Sequence, residues 1–263
     1  DLNITAQNRD TQGDIYEYLL SQLSTAGKNG QFRTPRHIIR MIVELVDPDI
    51  TDRICDPACG TAGFLINAYE YILRKYTSPD LLEIDSEGEY HNLIGDNITE
   101  QKHWEKLWSD TFYGFDFDPT MTRISLMNLM LHGLDSTEGA AGIHYGDTLG
   151  TDGERLAKEH PATLMLSNPP FGTKKGGGEP DRKDFTFPTS NKQFCFLQHI
   201  YRGLKPGGRA AVVLPDNVSV ERRQALEVWG AEIIPSPASE GSNGAMVRAK
   251  ALAAEHPEWW FPY

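Results

Sequence analysis

Cysteine is scarce: Cys55, Cys59 and Cys195 are the three thiols of a 263-residue chain. So few exclude a disulfide-stapled scaffold and suit a reducing cytoplasm, the expected location. Cys55 and Cys59 lie close together, but no His or Cys cluster completes a zinc pattern around them. They read as small buried residues of a turn, and no metal is expected. Long apolar runs are missing too. None approaches the roughly 18 residues that cross a bilayer, and no basic start followed by an apolar stretch marks a signal peptide. No membrane contact is therefore expected. The sequence opens on Asp1 rather than Met, so it reads as a fragment of a longer protein. Cations are outnumbered, with 25 Lys and Arg against 37 Asp and Glu and a net charge of −12. Such a chain does not hold nucleic acid by its own field. If DNA is the substrate, a basic partner or a local basic patch supplies the phosphate contacts.

What is present is ordinary globular material, 39% hydrophobic and 24% charged, enough for one large α/β domain or two small ones. Residues 14–26 carry apolar side chains at helical spacing, and Gly27 can end that helix. In the next stretch, Thr34 can cap a helix and Pro35 can take its first position. The stripe Ile38, Ile39, Ile42, Val43, Val46 runs until Pro48 stops it. "DRICDPACGTAGFLINAYEYILRKY" reads as a strand ending near Cys55, a turn, and a helix from about Ala62 to Tyr76. Residues 77–108 look polar and irregular, with weak helical signals near Trp104 and Trp108. Then come a strand "TFYGFDFD", a helix "PTMTRISLMNLMLHG", a strand "GIHYGDTL", the apolar run Leu164-Met165-Leu166, a helix "KQFCFLQHIYRGL", and a strand "RAAVVLP" after Pro206-Gly207-Gly208. Alternating strands and helices predict a doubly wound, mostly parallel sheet. Asp56, Asp116, Asp147 and Asn168 all sit just after strand C-terminal ends, where open α/β sheets bind ligands.

Two turns carry chemistry. "DPACGTAGFL" puts glycines and a helix N-terminus after a strand, which lets backbone approach a ligand. It lacks the Gly-x-Gly-x-x-Gly spacing and begins with an acid, which suits an amine-bearing ligand better than a pyrophosphate. Asp116 could bind ribose hydroxyls. "SNPPFG", residues 167–172, halts a buried strand with two prolines, neither of which can donate to a ladder.

Together these turns change the reading. "DPACGTAGFL" resembles the S-adenosylmethionine motif of DNA methyltransferases, and "SNPPF" resembles their Asn/Asp-Pro-Pro-Tyr/Phe motif for amino methylation. "GQFRTPRHI", "YGFDFDPT", "MNLMLHG", "GDTL", "SNPPFG" and "LKPGGRAAVVLP" follow in the order seen in the modification subunit of type I restriction systems. The resemblance covers about residues 8–217. Ala62 departs from it, since the family usually has glycine there. The resemblance implies a Rossmann-like methyltransferase acting on adenine N6, with S-adenosylmethionine as cofactor. Its partners would be double-stranded DNA with a flipped adenine, a separate specificity subunit and a restriction subunit. Phe32, Thr34 and Pro35 would form a lid over the cofactor. Asp56, with Ala58, Gly60 and Thr61, would hold the methionine end. Asp116 would take the ribose and Asp147 the adenine ring. Asn168, Pro169, Pro170 and Phe171 would hold the target base.

The chemistry follows from the groups. The exocyclic amine of adenine is a poor nucleophile, because its lone pair is delocalised into the ring. The Asn168 side-chain oxygen and the Pro169 carbonyl can both accept hydrogen bonds from it. Two fixed acceptors favour a tetrahedral nitrogen and aim its lone pair at the methyl group. Asn168 is no strong base, so proton loss follows transfer. Phe171 offers a face to a flipped base. Lys174 and Lys175 read as a solvated loop or phosphate contacts, and Phe185 and Phe187 as target-base guides or loop anchors. His37, His132 and His199 read as structural. Trp104 and Trp108 read as core or cover. Two other readings stay open: a protein-glutamine methyltransferase, which shares Asn-Pro-Pro plus an aromatic, and an inactive protein that at most binds cofactor.

After "LPDNV" the pattern changes. Residues 215–263 resemble a segment of the pyridoxal-phosphate-dependent cysteine synthases, without that enzyme's Schiff-base lysine motif or phosphate loop. The expected organisation is a helical tail over 1–30, a catalytic domain over 31–217 and a foreign helix-strand-helix segment over 218–263, that is, a chimera. Its sheet would lack the family's last two strands, leaving an open edge.

Overall fold

A computed structural model of the chain describes residues 34–85, 90–134, 142–170, 172, 182–213 and 224. Phe32, Phe171, Lys174, Lys175, the 1–30 tail and nearly all of the cysteine-synthase-like segment lie outside the described residues.

The elements in chain order are α1 (Arg36–Val46), β1 (Ile54–Asp56), α2 (Gly63–Lys75), β2 (Glu83–Ile84), β3 (Tyr90–His91), α3 (Gln101–Ser109), β4 (Phe112–Asp116), α4 (Pro119–Leu131), β5 (Gly142–Tyr145), α5 (Thr151–Glu159), β6 (Ala162–Ser167), α6 (Lys192–Gly203) and β7 (Leu204–Val212). Five strands form one sheet in the order β5-β4-β1-β6-β7, with every pairing parallel. β1 lies at its centre, with Ile54 opposite both Phe112 and Leu164.

Strand alternation explains the layers. Ile54, Phe112, Leu164 and Leu166 join one core cluster with Ile39, Ile42 and Val43 of α1, Leu65 and Ile72 of α2, and Leu107 of α3. Their neighbours Cys55, Tyr113, Phe115 and Met165 join a second cluster with Leu156 of α5 and Ile200 of α6. Both faces of the sheet are thus covered, as parallel strands require. Each fully buried aliphatic side chain contributes about 1.5–3 kcal/mol relative to exposure. The chain reverses its winding between β1 and β6, and the switch point opens at the C-terminal ends of those two strands.

Several local expectations need correction. Thr34 does not cap α1: the helix starts at Arg36, Pro35 is the N-cap residue, and no side chain caps it. The helix expected from about Ala62 to Tyr76 is present as α2, and its N-cap residue Ala62 holds φ +66, a left-handed angle that disfavours L side chains. That angle accounts for the glycine usual at this position in the resembled family. The stretch 77–108 is not merely irregular. It holds the antiparallel pair β2-β3, while the helical signal expected near Trp104 and Trp108 is borne out by the nine-residue helix α3, where Trp104 Nε1 donates to Ile98 O at 3.0 Å. α5 was not foreseen. Pro206-Gly207-Gly208 falls within β7, where the register with β6 shifts and Gly207 takes φ +78. Among the described residues β7 pairs on one side only, and Arg209 anchors it through Asp52 at 3.0 and 2.8 Å.

Candidate active site

The four residues expected at strand ends are where parallel topology puts them. Asp56 ends β1, Asp116 ends β4, Asp147 follows β5 by two residues, and Asn168 follows β6. Asp56 is 1% exposed, and its Oδ1 accepts from Ala58 N at 3.0 Å. Burial pushes its pKa up to about 7, and the nearby Asp116 charge adds to that. The Ala58 N–H and the Ser167 hydroxyl pull the other way. Asp116 is raised too, chiefly by burial, against the N–H groups of Asp118 and Gly60. Gly60 N donates to Asp116 Oδ2 at 3.2 Å, so one acid crosses from β4 to the turn after β1. Asp147 is exposed, and its Oδ1 accepts from Leu149 N at 2.9 Å.

The turn between β1 and α2 is shaped by distant side chains. Gly60 takes φ +54 and Ala62 φ +66. These angles turn carbonyls toward α4, whose buried Ser125 donates to Gly60 O and whose buried Asn128 donates from Nδ2 to Thr61 O at 2.8 Å. Thr148 Oγ1 donates to Pro57 O at 2.6 Å. Ser125, Asn128 and Thr148 were missed as site residues. "MNLMLHG" and "GDTL" were visible as motifs, but nothing local said what those side chains touch. Gly114 was missed as well. A Cβ there would lie 2.9 Å from Cys59 Cβ and 3.0 Å from Asp56 O. Gly114→Ala should therefore push the turn off β4. We expect a loss of about 1–3 kcal/mol in stability, read by thermal denaturation, together with weakened cofactor binding.

At β6 the backbone leaves the sheet through buried Pro169 and half-buried Pro170. Asn168 Nδ2 donates to Thr34 Oγ1 at 2.9 Å, and its Oδ1 is buried with no hydrogen-bond partner. A buried amide oxygen left without a donor costs about 1–3 kcal/mol, so it points to a donor that arrives with a ligand. Thr34, 8% exposed, thus meets the turn after β6 rather than capping its own helix, while Pro35 is exposed.

These features fit S-adenosylmethionine as a class. A buried acid suits a ligand ammonium, left-handed glycine backbone admits close approach, and the strand-end acids lie along the same edge of the sheet. Among the described residues no group of three or more His, Cys, Asp or Glu could hold a metal ion. His199 is structural, as expected. It is 1% exposed, and burial and the adjacent Arg182 push its pKa down to about 3. Phe185 lies against the Arg182 guanidinium at 4.5 Å and anchors its loop, whereas Phe187 is 58% exposed. Among the described residues no helix is long and apolar enough to cross a membrane.

Known proteins agree with this geometry. The chain is 40% identical over 225 residues to the type I restriction enzyme EcoKI methylase subunit of Escherichia coli, covering 84% of this chain and 38% of that protein. It therefore spans about two fifths of the length of that relative. The crystal structure of the EcoKI M protein superposes with a TM-score of 0.57 at 39% identity, over 71% of this chain and 34% of the other. A Listeria monocytogenes structure described as a class I S-adenosylmethionine-dependent methyltransferase gives 0.54 at 17% identity, over 86% and 61%, a likeness of fold alone. The Rossmann-like methyltransferase fold with its mostly parallel sheet is thereby established. A family model for N-6 DNA methylases matches residues 7–227, and the chain belongs to that family.

Proposed function

We propose that this chain carries the catalytic core of a type I modification subunit, which transfers a methyl group from S-adenosylmethionine to N6 of adenine in DNA. The observation that carries the reading is the buried, unpartnered Asn168 Oδ1, set at the switch point beside the strand that ends in Asp56. A planar amine with two N–H groups would satisfy it, with the Pro169 carbonyl as second acceptor. Thr34 holds the amide by its nitrogen and so leaves the oxygen free to accept. The bound cofactor supplies an electrophilic methyl group on a sulfonium. The protein's part is to hold the amine, direct its lone pair and exclude water.

The further roles belong to the same proposal. Asp56, Ala58, Gly60 and Thr61 would hold the methionine end, Asp116 the ribose and Asp147 the adenine ring. Phe32, Thr34 and Pro35 would close over the cofactor, and Phe171 would stack on the flipped base. The acidic charge, and the word subunit in the name of the EcoKI relative, support a separate specificity subunit as the DNA reader. The domain boundaries at 30 and 217 and a foreign origin of residues 218–263 rest on the resemblance alone, and the family match runs ten residues past the second boundary.

Calorimetry with S-adenosylmethionine is the first test. Saturable binding in the micromolar range is expected, and no heat of binding at millimolar cofactor would refute the reading for this chain. Methyl transfer to DNA with an added specificity subunit then decides the substrate.

A further inference from the structure

We infer that Arg182 is a positioning residue, pinning the loop of Asp147 and Thr148 between the turn after β1 and residues 182–185, which precede α6. The inference rests on the proposed cofactor site, because that loop and that turn are two of its walls.

The Arg182 side chain is fully enclosed. Nε and Nη2 both donate to the Asp184 carboxylate at 2.6 Å, a bidentate fork. Nη1 points the other way, to Thr148 O at 2.8 Å and His199 Nδ1 at 3.1 Å. His199 is therefore the neutral tautomer that accepts at Nδ1. Phe185 closes the face of the guanidinium. Thr148 continues the path, since its hydroxyl donates to Pro57 O, next to Asp56. One chain of hydrogen bonds thus runs from α6 through Arg182 and Thr148 to the turn after β1.

A space-filling role does not explain this choice of residue. Burying a guanidinium is costly, and an apolar side chain of similar volume would fill the space without that cost. What arginine adds is five donors in a fixed fork, which a lysine ammonium cannot reproduce. It is the one group here that satisfies an acid, a ring nitrogen and a loop carbonyl together.

The experiment compares the 263-residue chain with Arg182→Lys, Thr148→Val and their double variant, using S-adenosylhomocysteine in calorimetry and amide hydrogen exchange. Each single variant should weaken binding about tenfold, and the double variant no further, because both cut one path. Without ligand, the amides of Leu149 and Gly150, which bond to Asp147 Oδ1 and Asp147 O, should exchange at least tenfold faster. The amide of Ile54, bonded to Thr111 O, should keep its protection. Wild-type affinity in either single variant, or losses that multiply to about a hundredfold, would overturn the inference. If Arg182→Lys does not fold, Arg182→Met with Asp184→Asn removes both charges and takes its place. Should the wild-type chain itself not bind, the proposed function falls, and the exchange rates of Leu149 and Gly150 still decide whether the pin exists.

Discussion

Asn168→Ala should lower methyl transfer by two to three orders of magnitude or more, on the order of what one preorganised hydrogen-bonding group contributes to a transition state. Binding of S-adenosylhomocysteine should stay within about threefold, because in the proposed site Asn168 would face the amine rather than the cofactor's acid contacts. The split follows from geometry. The amide is fixed by its Nδ2 bond to Thr34, and its buried oxygen has no partner of its own. Substitution by alanine removes the acceptor and leaves the Thr34 hydroxyl facing a gap. Asn168→Asp should retain more activity, because one carboxylate oxygen still accepts from the amine while the Thr34 hydroxyl rotates to donate to the other. Thr34→Val keeps the acceptor but frees the amide to turn, and about a tenfold loss in transfer is expected; cofactor affinity should fall by less than that, because the Val side chain still covers the space that Thr34 fills in the proposed lid. The measurement is labelled methyl transfer to DNA in the presence of a specificity subunit, paired with calorimetry on the same preparations. Normal turnover in Asn168→Ala would remove the residue from the mechanism.

The strands were legible for a physical reason. A strand buried on both faces is a short apolar run, and turn residues mark its end. Leu164-Met165-Leu166 before Asn168-Pro169-Pro170 is the clearest case. The strand-end rule then placed Asp56, Asp116, Asp147 and Asn168 on one edge without any knowledge of contacts. α5 escaped notice because Leu156 and Ala157 are its only buried apolar residues, and Gly153 sits in its first turn. β2 and β3 are two residues each, and such short pieces carry no periodicity.

Long-range polar contacts were the hidden layer. Thr34 satisfies every local rule for a helix cap, yet its hydroxyl serves Asn168, 134 residues away. Ser125 reaches Gly60 across 65 positions, Asn128 reaches Thr61 across 67, and Thr148 reaches Pro57 across 91. Propensity and period describe neighbours within a turn or two. They say which residues can donate a hydrogen bond, and only the folded chain says to whom. The positive φ at Ala62 belongs here too, since an alanine in sequence gives no hint of a left-handed backbone that glycine would hold more easily.

In its proposed place beside the ligand ammonium, Asp56 should make cofactor affinity depend on pH. Its folded-state pKa is raised to about 7, against an ordinary carboxylate value near 4. Between those values the folded chain holds a proton that the unfolded chain has released. The Asp56 charge therefore opposes folding, and its contribution to stability falls as pH rises toward 7. A ligand ammonium beside the carboxyl reverses the preference, because the ionised acid becomes the binding form. S-adenosylhomocysteine affinity should rise about tenfold or somewhat more from pH 5.5 to 7.2, since below the pKa each unit costs up to a factor of ten. Near pH 6 binding should release close to one proton, read from the dependence of the calorimetric heat on buffer ionisation enthalpy. At more alkaline pH affinity should fall again as the ligand's own α-amino group loses its charge. Asp56→Asn should remove the acidic limb and weaken binding at neutral pH. Asp116, raised in the same direction, is the competing source of the proton. Asp116→Asn should keep the limb, because its expected partners are uncharged ribose hydroxyls. A flat affinity between pH 5.5 and 7.2, or a limb lost in Asp116→Asn and kept in Asp56→Asn, would move the ammonium away from Asp56.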